Sequence, residues 1–215
     1  MRRVAKYLSL SVIAVLIGVF ESVEAQNSDK FTFTIETNFG MSFMYSHAGL
    51  SPIDYKNANS FSGVEQVSLG LVKKNIGGLY IDIGGVYSNV MRYNNDLSEE
   101  IRLTNVGLSI SNVSNLSEHT YIDVRAGVGL TFLDNKVYCL DNEYEIDNKM
   151  GSYFRLSLSP MYKISKFLEC GFRFENILGR TKDWDYPQEL NDYLRKADFN
   201  FWGAVGASIV VKAVF

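Results

Sequence analysis

The chain has 215 residues, 47% hydrophobic and 13% aromatic, and a formal net charge of −3. It is long enough for one ordinary domain with a real interior, and its weakly acidic balance argues against nucleic acid as a partner. Two cysteines are too few for a disulfide-stapled scaffold.

The N-terminus reads as an export signal. Arg2, Arg3 and Lys6 form a positive start, Leu8 to Phe20 an apolar stretch, and Val23-Glu24-Ala25 a small-residue end suited to cleavage before Gln26. The apolar stretch falls short of the roughly 20 residues that a spanning helix needs, and no cysteine comes after it to carry a lipid anchor. Residues 1–25 are therefore expected to be a cleaved secretory signal peptide, and residues 26–215 one exported domain. Removing three basic and two acidic residues leaves that domain with a net charge of about −4.

No later run approaches spanning-helix length, yet Phe (14), Tyr (13) and Gly (17) are plentiful and Pro (3) is scarce. From residue 31 onward the dominant pattern is alternation. The odd positions read Phe31, Phe33, Ile35, Thr37, Phe39, Met41, Phe43 and Tyr45, against Thr32, Thr34, Glu36, Asn38, Gly40, Ser42 and Met44. Period two puts the two sets on opposite faces of a strand. Residues 61–73 set Val67, Leu69 and Leu71 against Gln66, Ser68 and Gly70, and residues 79–93 set Leu79, Ile81 and Ile83 against Asp82, Gly84, Ser88 and Arg92. Residues 99–111 break parity: Ile101 and Leu103 share one side, Val106, Leu108 and Ile110 the other. A β-bulge near Thr104-Asn105 is expected to reconcile them. Residues 120–132 set Ile122, Val124 and Val128 against Asp123, Arg125 and Gly127. In 150–163, Phe154, Leu156 and Leu158 oppose Tyr153, Arg155 and Ser157; in 167–178, Leu168, Phe172 and Phe174 oppose Glu169, Arg173 and Glu175. Residues 198–215 close the series with Phe199, Phe201, Val205, Ile209, Val211 and Phe215 against Asn200, Gly206, Ser208 and Lys212. These eight segments predict an all-β fold, an eight-stranded antiparallel transmembrane up-and-down β-barrel.

The links near 47–60, 133–149 and 179–197 are long and those at 74–78, 112–119 and 164–166 short, with 94–98 a short link in a long-link position. Outer-membrane barrels have short periplasmic turns and longer outer loops, so a bacterial outer-membrane location with both termini periplasmic is expected.

The export signal, the alternating strands and the ending Ile209-Val210-Val211-Lys212-Ala213-Val214-Phe215 resemble the small outer-membrane barrels of the OmpA/OmpX type, in the style of the Bacteroidetes outer-membrane β-barrel domain. The terminal phenylalanine is similar to the signal read by the barrel-assembly machinery, which the resemblance implies as a partner during biogenesis. Outer-membrane lipids and lipopolysaccharide would surround the apolar face. The resemblance is architectural and transfers no catalytic or ligand residue.

Opposite the apolar face lie five acids, Glu36, Asp82, Asp123, Glu169 and Glu175, and six bases, Arg92, Arg102, Arg125, Arg155, Arg173 and Lys212, with Arg102 brought there by the bulge. Charges face lipid only at high cost, so they are expected inside. An eight-stranded barrel has an interior just wide enough for side chains. A crosslinked ionic core is the consequence, whereas a soluble carrier barrel would reverse the faces.

The two histidines, His47 and His119, fall at opposite ends of the barrel, and Ser46-His47 directs neighbouring side chains to opposite faces of a strand, poor geometry for a relay. Asp141, Glu143, Glu145 and Asp147 alternate in the 133–149 link, the third outer one, and read as a solvated loop rather than a calcium site. A short helix is expected over 185–196, with Leu190, Tyr193 and Leu194 on one face. Cys139 is expected in the third link, outside the cell, and Cys170 toward lipid, both as free thiols. No catalytic, cofactor-binding or metal residue is assigned. The expected role is non-enzymatic, envelope-structural or surface-interacting through the extracellular loops, whose partner is left open. A narrow porin-like channel and a lipid-modifying enzyme are the alternatives.

Overall fold

A computed structural model describes residues 31–46, 58–73, 76–92, 97–139, 142–181 and 202–215. The expected signal peptide, His47, Asp141 and the 185–196 helix lie outside these residues. Strands β1 (Thr32–Ser46), β2 (Ala58–Lys73), β3 (Gly77–Arg92), β4 (Leu97–Asn115), β5 (Thr120–Cys139), β6 (Asn142–Lys163), β7 (Leu168–Thr181) and β8 (Trp202–Val214) pair antiparallel with their chain neighbours. β1 also pairs with β8, so the sheet closes and no edge is left unpaired.

The alternation sets the faces as expected over most of the barrel. Phe39, Met41, Phe43, Ile110, Phe172 and Phe174 point outward, each more than half exposed. An apolar surface this continuous is not compatible with water, and it wraps the barrel as a lipid-facing belt. Glu36, Asp82, Asp123, Glu169 and Glu175 are buried inside with Arg125, Arg155, Arg173 and Lys212. The reversed, soluble-carrier arrangement is thereby excluded.

Two turns at the end bearing Thr32 and Val214 share one construction. In Leu116-Ser117-Glu118-His119 the Ser117 hydroxyl accepts from the His119 and Thr120 N–H groups, and in Ile164-Ser165-Lys166-Phe167 Ser165 accepts from Phe167 and Leu168. Each serine oxygen satisfies backbone donors that a tight turn would otherwise strand. At the third turn Gly77 has φ of 130°, a conformation in which a side chain is strained, and a Cβ there would also overlap Ser111.

Three expectations fail, all in β4 to β6. No bulge occurs at Thr104-Asn105: the register of β4 runs unbroken through both residues against β3 and against β5. Ile101 and Leu103 instead face the interior, fully buried, and Arg102 faces outward and exposed. The described residues of the 133–149 stretch are strand, with β5 running to Cys139 and β6 starting at Asn142; the irregularity lies between Leu133 and Asn135. Cys139 is consequently not in an outer loop but buried inside the barrel, at 5% exposure. Both cysteines are free thiols, and Cys170 lies on the outward parity of β7.

The physical reason is common to all three. Beyond the lipid belt the outside of the barrel meets water, so polar residues turn outward (Glu100, Arg102, Asp134, Lys136, Glu143, Glu145) and apolar ones inward (Ile101, Leu103, Leu133, Val137). Hydropathy inverts while the strand continues.

Candidate functional site

The interior has three levels. At the end where strands β1 and β8 carry Thr32 and Val214, Tyr121, Glu169 and Lys212 form a compact cluster. The Tyr121 hydroxyl donates to Glu169 Oε2 at 2.5 Å, and Lys212 Nζ donates to the Tyr121 oxygen at 3.1 Å and to Glu169 Oε2 at 3.0 Å. Around it opens a cavity of about 620 Å³, lined among others by Thr34, Val72, Val113, His119 and Lys163.

The middle level is ionic. Arg125 forks onto Glu36 with bonds of 3.1 and 2.9 Å and reaches Asp123 at 2.9 Å. Arg173 contacts Glu36 Oε1, which Arg125 also reaches, at 2.6 Å and donates through Nε to Ser159 at 3.0 Å. Arg155 meets Asp82 at 2.5 Å, and Gln66 donates to the same carboxylate at 3.0 Å. With Arg125 and Asp82 at 4.0 Å, three arginines and three carboxylates form one connected, charge-balanced network. Balance matters here because each buried ion loses several kcal/mol of hydration that only partners can restore. The Tyr80 ring supports Arg125 from one side, 3.6 Å from the guanidinium carbon, and Gly70 leaves the space that this ring fills.

The third level is apolar. Met44, Val64, Val86, Ile101, Leu103, Leu133, Val137, Ile177 and Trp202 pack together with Cys139 and Tyr153 across the lumen. Trp202 lies against Gly179, where any Cβ would overlap the indole. Half of this level departs from the sequence reading, which takes Leu133, Val137 and Cys139 as loop and Ile101 and Leu103 as bulged strand. Met44 and Tyr153 are already on the inward parity, and Val64, Val86, Ile177 and Trp202 lie in segments read as strand.

Of the expected lumen bases, Arg102 is outside, its inward placement having rested on the absent bulge, and the side chain of Arg92 lies outside the described residues. Arg173 pairs with Glu36, not with the neighbouring Glu175. Glu175 is buried, and neither of its oxygens has a hydrogen-bond partner among the described residues. Asn38, Ser42 and Ser157 also carry unpartnered buried polar atoms, and Ser157 is the cross-strand neighbour of Glu175. Glu143 forms an exposed 2.5 Å pair with Lys136, and no metal-ligating cluster occurs among the described residues. His119 stacks obliquely on Tyr162 at the turn end, 6.2 Å between ring centres.

No protein-family model matches the sequence, and no curated protein matches it. Solved structures do. Neisserial surface protein A is 13% identical with a TM-score of 0.48, covering 85% of this chain and 97% of its own. Ail, the attachment invasion locus protein of Yersinia pestis, is 9% identical with a TM-score of 0.50, covering 86% of this chain and 98% of its own. At such identities the likeness concerns the fold alone. Together with the lipid-facing belt and the closed eight-strand order, the likeness to Ail establishes that the chain has the fold of the small bacterial outer-membrane β-barrels.

Proposed function

We propose that the chain is a non-enzymatic outer-membrane barrel with an envelope-structural or surface-interaction role, oriented with both termini in the periplasm. The observation that carries this reading is the side-chain filling of the lumen. An ionic level and an apolar level lie one above the other, and the barrel is braced rather than hollow. Among the described residues, the part of β4, β5 and β6 beyond the belt is the surface that would adjoin the outer loops. There Arg102 faces Asp134 and Lys136 faces Glu145 across the strands, an outward ribbon of alternating charge.

A second reading, a narrow channel, draws on Glu175, Asn38 and Ser42, whose unpartnered polar atoms lie where water would satisfy them.

Two measurements separate the readings. Purified barrel in planar bilayers is expected to give no steady current; a current that changes with Glu175→Gln would replace the structural reading by the channel. In cells lacking the chain, the native form is expected to restore detergent resistance of the envelope, and a Lys136→Gln, Glu143→Gln, Glu145→Gln triple variant is expected to fail. Glu143→Cys should be labelled by an impermeant maleimide on intact cells, and its protection there would reverse the orientation.

A further inference from the structure

The cavity at the turn end is not explained by bracing. Its volume of about 620 Å³ lies within the roughly 300–1,000 Å³ range of small-molecule sites. Its walls divide by chemistry. Val72, Val113, Ile164 and Val214 form an apolar side, and Lys163, Lys212 and Glu169 a charged one.

The charges do not cancel. Lys163, Glu169 and Lys212 are successive cross-strand neighbours on β6, β7 and β8, two cations about one carboxylate. Glu169 is taken by Lys212 and by the Tyr121 hydroxyl. The Lys163 ammonium has no salt bridge among the described residues, and it rests 5.3 Å from the centre of the Tyr121 ring, on which Lys212 also bears at 5.4 Å. Lys166 and Glu118 also line it and add one charge of each sign. One positive charge is left over in a partly enclosed site.

A buried polar group also borders this space. Thr34 lines the cavity and is 1% exposed, and its hydroxyl has no hydrogen-bond partner among the described residues. A buried hydroxyl is rarely left unpaired in a native protein, so such groups are usually satisfied by something. A monoanion fits what the walls lack: it would neutralise the surplus lysine and accept from Thr34. A dianion would overcompensate beside Glu169, and a cation would meet Lys163 and Lys212. The apolar wall adds the second requirement, a hydrophobic body attached to the charge.

We infer that this cavity binds a small amphipathic carboxylate, its charged end held by Lys163, Lys212 and Thr34 and its apolar part against Val72, Val113 and Val214.

The test uses full-length barrel purified from outer membranes in nonionic detergent, with 4-fluorobenzoate as probe and fluorine NMR as readout against empty micelles. Saturable binding of 4-fluorobenzoate is expected, with 4-fluorobenzamide, its uncharged analogue, binding at least about tenfold more weakly, the loss of one charge-assisted contact. Lys163→Gln, which breaks no salt bridge among the described residues, is expected to weaken the benzoate about tenfold, and Thr34→Val to weaken it less. Lys136→Gln, at the far end of the barrel, should leave it unchanged. Equal binding of the amide, absence of saturable binding at millimolar probe, or undiminished affinity in Lys163→Gln would overturn the assignment. Tighter binding of phenyl phosphate than of benzoate would overturn the carboxylate in particular.

Discussion

Arg125 on β5 and Glu36 on β1 stand on opposite strands of the barrel and meet through two parallel hydrogen bonds, 89 residues apart in the chain. Both are fully buried. The pair is a strut across the lumen, not a contact along the sheet.

Removing one member of a buried pair strands the other charge, which typically costs about 3–5 kcal/mol. Arg125→Ala and Glu36→Ala are each expected to destabilise the barrel by that amount. The double variant should cost clearly less than their sum. Lys136→Ala, which removes an exposed pair, should leave the unfolding midpoint almost where it was. Urea unfolding of the barrel refolded into bilayers measures all four, and additive losses would show that the strut does not act as a unit.

Leu103 and Leu108 lie on one strand with opposite fates. Leu103 is fully buried in the apolar level, whereas Leu108 is 52% exposed on the lipid face. Leu103→Ala is expected to cost about 2–5 kcal/mol, the range for opening a cavity in a packed interior. Leu108→Ala leaves no cavity, since lipid fills the space, and should cost less than half as much by the same unfolding assay. A bulge between them would put both on the lipid face and make the two costs similar.

Glycine positions discriminate equally well. A Cβ at Gly179 would overlap the Trp202 ring, whereas at Gly63 the nearest atom would be 3.6 Å away. Gly179→Ala is expected to destabilise by about 1–3 kcal/mol through overpacking. Gly63→Ala should be neutral within about 0.5 kcal/mol, the usual range for a surface change. Trp202 fluorescence should change only in the first variant.

Cys139 is 5% exposed and belongs to the buried apolar level together with Val137. Reaction of a thiol requires access as well as thiolate. An impermeant maleimide on intact cells is therefore expected to leave Cys139 unmodified, and detergent-denatured barrel should react fully. Labelling of Cys139 on cells at the rate of Glu143→Cys would place it in a loop after all.

Where lipid surrounds the barrel, the fold was legible residue by residue. Phe39, Val128 and Phe174 point out and Glu36, Arg125 and Arg173 point in, because one side of each strand meets hydrocarbon. The interior charges were legible by the same rule, though not their partners: Arg173 lies two residues from Glu175 yet bonds Glu36 on β1. Sequence distance carries no information about which side chains meet across a lumen. Above the belt the rule changes sign. Ile101, Leu133 and Val137 turn inward there, and Arg102, Asp134 and Lys136 turn outward. Read with the lipid rule, that inversion looks like a bulge in β4 and a loop after β5. The turn-end cavity was illegible for another reason, since it draws Thr34, Tyr121, Lys163 and Lys212 from separate strands with no motif among them.

The β1–β8 seam has a consequence in time. Its ladder runs from Ser46 against Trp202 to Thr34 against Val214, with a further bond from the Phe215 N–H to the Phe33 carbonyl. Until β8 arrives, β1 and β7 each present a row of unpaired amides, which hydrocarbon does not tolerate. No partial barrel is therefore a stable stopping point in the bilayer. The first strand must wait, chaperoned or held at a protein surface, for the last to be delivered, and contacts of such long range are slow to form. Insertion and closure become one event.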